Sequence, residues 1–202
     1  ASGAVGTSLT NTAQITASSL PAPDSTVNNG ATGEDDYASR TATIGANTIN
    51  CPSGSSASGS GFASSGSSAK PGQLFWLDWS CTGTSQFNAG AIVNKTWTAG
   101  DGLTITGQIT GLTKALRPYT PGEWSGDTLQ LLHAGLGAIG LRNAVDTEDP
   151  QFNLALSATL NGSATSLRYV MADAEDSGGA IASESVAATT NGSNWQTVES
   201  YG

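Results

Sequence analysis

The chain has 202 residues, a formal net charge of −9 and a sequence pI of about 4.2. This acidity excludes nucleic acid as a partner, because neutralising phosphates needs a basic surface. Only 11% of the residues are charged, against about 25% in an average soluble domain, so Ser, Thr, Asn and Gly supply most of the polarity. That composition is typical of a secreted, extracellular β-protein. No run of about 18 apolar residues occurs, so no membrane-spanning helix is predicted.

The first predicted element is a strand over residues 7–18. Leu9, Ala13 and Ile15 alternate with polar residues, which indicates a strand with one partly apolar face. A lone strand cannot bury such a face. The rest of the chain shows no obvious partner for it, so we expect this strand to be unpaired within its own chain.

An acidic stretch, residues 21–36, follows this strand and is rich in oxygen-bearing side chains. Ca²⁺ binds about six to eight oxygens from carboxylates, Asn side chains and backbone carbonyls. The stretch therefore predicts either a calcium site that clamps a junction between two β-modules or a solvated acidic linker. The candidate ligands are Asp24, Asn28, Asn29, Glu34, Asp35 and Asp36.

Cys51 and Cys81 are the only cysteines of the chain. They form no C-x-x-C pair, which disfavours a metal or redox motif. Because the composition is that of a secreted protein, we expect these two residues to form a disulfide. The alternative is a pair of buried free thiols.

Short strands separated by turns are predicted over the rest of the chain. Residues 73–80 are apolar on nearly both faces and predict a central strand. Asn161-Gly162 predicts a hairpin turn, and residues 129–136 predict the only helix. The pattern predicts an all-β chain folded as a β-sandwich. The remaining strands are predicted at 91–97, 103–109, 152–160, 166–174, 184–190 and 195–198.

Catalysis finds little support in the residues present. The single histidine, His133, lies in an apolar run, and no G-x-S-x-G nucleophile motif occurs. Two facing carboxylates could hydrolyse a glycoside, but sequence spacing does not show that any two of them face each other. We therefore predict that the chain is not an enzyme. The acidic candidates for such a pair are Asp78, Glu123, Asp127, Asp173 and Glu175.

Three residues are candidate ligand contacts. Trp124 lies in a Pro- and Gly-containing loop, where an exposed indole would bind protein or stack on a sugar. Packing against the sandwich is the alternative for this residue. Asp173 and Glu175 end a predicted strand, where they would form a second cation site, the acidic rim of a ligand groove, or a solvated turn.

Two segments resemble known families of bacterial surface proteins. Residues 9–16, the Pro-Asp-Ser-Thr and Asn-Asn-Gly runs, and residues 34–37 resemble the end of an Ig-like repeat, a tandem β-sandwich module. Residues 71–199 are similar to the non-repetitive adhesive domain of CshA-type surface adhesins. The second resemblance rests on residues 75–79, 124–126, 154–160, 170–175, 184–185 and 190–195.

The resemblances imply a three-part organisation. Residues 1–20 would be an N-terminal strand, either the remnant of an Ig-like module or a donor strand. Residues 21–40 would form the acidic junction, and residues 41–202 a lectin-like or jelly-roll-like β-sandwich that is adhesive. Both ends resemble either cuts from a longer polypeptide or strands that are completed between subunits.

The predicted function is that of a secreted bacterial cell-surface adhesin or fibre subunit. Its expected partners are adjacent modules, other copies of the chain, and a matrix protein or glycan, with Ca²⁺ as the expected cofactor. The main alternative is a structural filament or S-layer subunit, in which the strand at 7–18 completes the sheet of a neighbouring copy. A glycan-processing enzyme is the third and least favoured alternative.

Overall fold

The computed structural model describes residues 7–19, 26–43, 45, 47–51, 60–123, 127–172 and 186–200. The chain divides into two compact units, Ala1–Asn47 and Thr48–Gly202. Each unit is described by itself below.

The first unit contains an antiparallel pair of strands, β1 (Ser8–Gln14) and β2 (Tyr37–Thr43). The hydroxyl groups of Thr10 and Thr41 lie 2.9 Å apart and hydrogen-bond across the pair. The expectation that the first strand is unpaired within its own chain was therefore wrong. Its partner is the segment directly after the acidic stretch, because the loop between the strands returns the chain antiparallel to β1.

This pairing also removes the reason for proposing strand donation to a neighbouring copy. That proposal depended on an alternating strand without a partner in its own chain. The pairing could not be recognised from the residues, because both strands are rich in Thr, Ser and Ala and nearly every position of both is exposed. A strand pair that buries so little apolar surface leaves no hydrophobic pattern by which to recognise the partner.

The second unit contains one five-stranded sheet, called the main sheet, and two sheets of two strands. The main sheet has the strand order β11-β10-β7-β6-β3, while β4 pairs with β5 and β8 pairs with β9. In chain order the elements are β3 (Asn47–Asn50), β4 (Gly61–Phe62), β5 (Phe75–Trp76), β6 (Ala91–Thr98), β7 (Leu103–Thr110), β8 (Leu116–Tyr119), α1 (Thr128–Leu132), β9 (Gly140–Asn143), β10 (Asn153–Leu160) and β11 (Ser163–Thr165).

The core lies between one face of the main sheet and the segments opposite that face. Side chains alternate between the two faces of a strand, and in β6 every second residue from Ala91 to Trp97 is buried. The indole rings of Trp97, from the sheet, and Trp79, from the opposite layer, meet edge to face at 4.9 Å. Phe87 and Leu116 also cover the sheet from the opposite side and are almost fully buried. The all-β prediction is confirmed, with a sandwich-like arrangement of two layers.

The turn at Asn161-Gly162 was predicted correctly. It joins β10 to β11, and its two residues have φ angles of 50° and 81°. Positive φ at both central positions is the geometry that an Asn-Gly hairpin turn favours. The helix predicted at 129–136 is also present, but it ends at Leu132, and His133 forms its C-cap.

The prediction of a central strand at residues 73–80 was wrong. Only Phe75–Trp76 is a strand, and it pairs with Gly61–Phe62 outside the main sheet. After Trp76 the backbone leaves the extended ladder: the Asp78 N–H donates to the Ser60 hydroxyl at 2.9 Å. The apolar run is instead the layer that covers the main sheet. The strands predicted beyond residue 165 are likewise not found in the described parts of that region, 166–172 and 186–200.

Gly107 on β7 is a tight contact point in this core. A Cβ atom at Gly107 would lie 2.7 Å from Cζ3 of Trp97, and the indole N–H of Trp97 donates to the Asp78 carbonyl at 2.6 Å. Because that hydrogen bond holds the ring in place, we expect Gly107→Ala to lower the free energy of unfolding by about 1–3 kcal/mol, as measured by urea denaturation. Gly100→Ala, with open space around the new methyl, is the control. A Gly107→Ala loss no larger than that of the control would contradict the prediction.

Candidate functional site

The face of the main sheet that points away from the core carries uncharged polar side chains. Residues between the buried positions of β6, β7 and β10 lie on this outward face, because side chains alternate along a strand. Cross-strand pairing places them in rows, so that Thr96, Thr106 and Ser157 lie side by side. The polar residues of the outward face are Asn94, Thr96, Thr98, Thr104, Thr106, Gln108, Thr110, Asn153, Ser157 and Thr159.

A chain of side-chain amides crosses three strands on this face. Gln108 on β7 donates from Nε2 to Oδ1 of Asn94 at 2.8 Å. Asn94 on β6 in turn donates from Nδ2 to Oδ1 of Asn50 at 2.8 Å. Because all the bonds run in one direction, a carbonyl oxygen of Gln108 stands at one end of the amide chain and an amide nitrogen of Asn50 at the other. The amide chain therefore offers a ligand both an acceptor and donors.

A groove of about 500 Å³ lies over the amide chain. Thr106 and Ser157 line it next to the amides, with their hydroxyl oxygens 2.6 Å apart. Ala155 is the cross-strand neighbour of Gln108, and its short side chain leaves open space on the sheet. A volume of this size falls within the usual range for small-ligand sites, about 300–1,000 Å³.

The groove is electrically neutral on its side-chain surface. Lys95 is the one ionisable residue among those that line it, and its side chain belongs to the buried face of β6. Its ammonium group donates to the Ser80 carbonyl on that side. Burial lowers the pKa of Lys95, and the charge of Asp78 opposes that shift. The outward face therefore presents hydrogen-bonding groups without a fixed charge.

The predicted calcium ligands differ in what they do in the structure. The Asn29 amide donates to both oxygens of Glu34, at 3.1 and 3.2 Å, and Glu34 also accepts the Thr26 N–H at 2.9 Å. Asn29 Oδ1 accepts the Ala31 N–H at 2.8 Å. These two side chains therefore hold residues 26–34 of the loop between β1 and β2 in shape.

The other predicted ligands differ in their burial. Asn28 and Asp35 are exposed, and Asn28 adopts a left-handed φ of 61°. Asp36 is buried, while Asp24 lies outside the described residues. No three His, Cys, Asp or Glu side chains of the described chain are close enough together to hold a metal ion. Calcium therefore remains a prediction.

The predicted disulfide is confirmed. Cys51 and Cys81 are bonded, 30 positions apart in the chain, and both are buried in the main core. The candidate ligand contacts Trp124, Asp173 and Glu175 all lie outside the described residues.

The described residues that were candidates for a catalytic carboxylate pair have structural partners. Glu123 forms an ion pair with Arg117 at 2.8 Å, Asp127 caps α1, and Asp78 accepts the Ser80 N–H at 2.7 Å. His133 is also packed: its ring meets Trp76 edge to face at 4.8 Å. Burial lowers the pKa of His133, and the charge of Glu199 opposes that shift.

The groove residues were missed by sequence reasoning. Their only signal is the polar half of the alternation in the strands predicted at 91–97, 103–109 and 152–160. A polar half is what any strand shows on a solvated face. Nothing in the pattern marks Asn50, Asn94 and Gln108 as neighbours, because that depends on the order of strands in the sheet.

An all-β unit with a neutral polar groove on its main sheet has the character of a binding module. Residues 72–202 match the family of the surface adhesin CshA non-repetitive domain 2. The chain belongs to this family of cell-surface, extracellular adhesins, which is not a family of enzymes. The first unit and its Ig-like resemblance lie outside the matched range.

Comparison with curated proteins and with solved structures gave no match. Across the part of the chain that the structure describes, no helix has the length and apolar character needed to cross a bilayer.

Proposed function

We propose that this chain is a surface adhesin that binds hydroxyl-rich glycans of host cells or of the matrix through the groove on its main sheet. The observation that supports this most directly is the amide chain from Gln108 through Asn94 to Asn50, bordered by the hydroxyls of Thr106 and Ser157. Amides and hydroxyls both donate and accept hydrogen bonds, as the hydroxyl groups of a neutral sugar do.

The energetics favour a neutral ligand that makes several contacts at once. A single hydrogen bond adds only about 0.5–1.5 kcal/mol net, so useful affinity requires that several groups engage together. The groups are held in place before binding by their bonds to each other and by the sheet, which reduces the entropy lost on binding. With no charge on the lining side chains, binding should depend only weakly on salt.

Removing two amides of the groove is expected to weaken binding strongly. We expect Asn94→Ala combined with Gln108→Ala to reduce the affinity for a glycosylated matrix protein by about tenfold or more, since each lost partner strands a polar group of the bound ligand at about 1–3 kcal/mol. The measurement is surface plasmon resonance on immobilised matrix glycoprotein, with and without enzymatic removal of its glycans. Thermal melting should change little because these side chains lie on the surface.

Thr98→Ala is the matched control, because Thr98 lies on the same face outside the groove. Its affinity should equal that of the wild type. Binding that survives deglycosylation but is lost in the double variant would assign the groove to a protein ligand and reject glycans. Binding that is unchanged in the double variant would reject the groove itself.

A further inference from the structure

Asp36 is an unusual residue in the first unit. It is only 6% exposed, and neither oxygen of its carboxylate has a hydrogen-bond partner. Among the described residues before Thr48, it is the only one that is buried. The most buried position in the described part of this unit is therefore a carboxylate and not an apolar side chain.

A buried carboxylate without a partner is unfavourable. Removing a charge from water costs several kcal/mol unless an opposite charge or hydrogen bonds compensate for it. Asp36 is given neither by the described residues: it appears in no ion pair there, and the cation nearest in sequence, Arg40, does not reach it. A bound cation would remove this cost.

The described residues of this unit also bury very little apolar surface, which is the usual source of stability for a small fold. Both strands of the β1–β2 pair are exposed along almost their whole length. Two strands alone are marginally stable in water, and small folds with little core commonly depend on a disulfide or a metal. The disulfide of this chain lies in the second unit.

The described residues around Asp36 are already held in a defined shape by hydrogen bonds. The backbone carbonyl of Asp36 accepts the Ile15 N–H at 2.9 Å, and the Ile15 carbonyl accepts the Asn28 N–H at 3.2 Å. Glu34 is occupied by N–H groups of the same loop. Among the described acidic residues of this loop, Asp36 is therefore the one that is buried and whose carboxylate oxygens accept no hydrogen bond.

We propose that the Asp36 carboxylate binds Ca²⁺ inside the first unit, with backbone carbonyls of the described loop residues 26–36 and water completing the coordination. Ca²⁺ accepts irregular sets of carboxylate, carbonyl and water oxygens, whereas Mg²⁺ demands near-octahedral geometry. Of the predicted ligands, Asn29 and Glu34 shape the loop and do not bind the ion directly. This inference is independent of the glycan groove.

The test is calcium titration of the whole chain by isothermal calorimetry, after removal of metal with EDTA. We expect the wild type to bind one Ca²⁺, and Asp36→Asn to lower that affinity by more than about tenfold, since even outer-shell partners of a metal contribute about 10–100-fold. Asp35→Asn is the matched control: it changes the same charge on the exposed neighbour and should bind calcium as the wild type does.

A local measurement covers the case in which Asp36→Asn fails to fold. Hydrogen exchange of the Ile15 and Asn28 amides in the wild type should slow on addition of calcium, because both bonds close the loop around Asp36. No calcium binding by the wild type overturns the proposal, and so does equal binding by Asp36→Asn. A wild-type protein whose melting temperature does not change with calcium, together with Asp36→Asn melting at or above that temperature, would overturn it as well.

Discussion

Replacing Asp127 by alanine is expected to lower the free energy of unfolding by about 3–5 kcal/mol. The Asp127 carboxylate is buried and accepts four hydrogen bonds. One oxygen accepts the backbone N–H groups of Leu129 and Gln130 at 3.0 and 3.2 Å, at the start of α1. The other accepts the Tyr119 hydroxyl and the Gly122 N–H. Alanine leaves all four donors without this acceptor. The Tyr119 side chain is buried, so its hydroxyl group would lose its partner in the protein interior.

The measurement is urea denaturation followed by tryptophan fluorescence. Asp127→Asn should give an intermediate loss, because its carbonyl oxygen still caps the helix while its amide nitrogen cannot accept from Tyr119. Asp101→Ala serves as control, since Asp101 is exposed and accepts a single N–H from Leu103 at 3.2 Å. If Asp127→Ala and Asp101→Ala lose similar stability, the carboxylate does not organise this region.

The Cys51→Ala/Cys81→Ala variant is expected to lose about 3–4 kcal/mol of unfolding free energy. The disulfide links residues 30 positions apart, so breaking it frees a long segment of the unfolded chain and raises its entropy. The bond also fastens β3, which ends at Asn50, to the layer opposite the main sheet, because both sulfurs lie in the main core. The loss should appear as a lower urea midpoint.

Reduction of the wild type provides the matched comparison. Wild-type protein in dithiothreitol should fall to about the stability of the double variant, while the variant should not respond to the reductant. Equal urea midpoints for the oxidised wild type and the variant would show that the crosslink does not contribute to stability.

The sequence predicted those features that depend on local chemistry or on composition. The Asn161-Gly162 turn was predictable because few dipeptides adopt two successive positive φ angles easily. The disulfide was predictable because the chain has only two cysteines and a secreted composition. The family of residues 72–202 was recognisable because its motifs are spread along that range in a fixed order.

Features that depend on neighbours distant in the chain were not predictable in the same way. Residues 73–80 have an ideal buried-strand pattern, yet most of them form the irregular layer opposite the main sheet. Apolarity on both faces reports burial, and burial alone does not distinguish a central strand from a covering layer. The strand at 7–18 was expected to lack a partner because its polar partner, Tyr37–Thr43, carries no hydrophobic signal.

The sequence by itself determined the class of this protein: an acidic, charge-poor, all-β surface adhesin with one disulfide. Only the tertiary structure decided which polar residues meet. Strand order placed Asn50, Asn94 and Gln108 in one hydrogen-bonded row across the main sheet. The folding of one acidic loop buried Asp36 while leaving its neighbour Asp35 in solvent. Composition and periodicity are properties of single segments. A surface groove and a buried carboxylate arise only where distant segments come together, and no local pattern encodes those contacts.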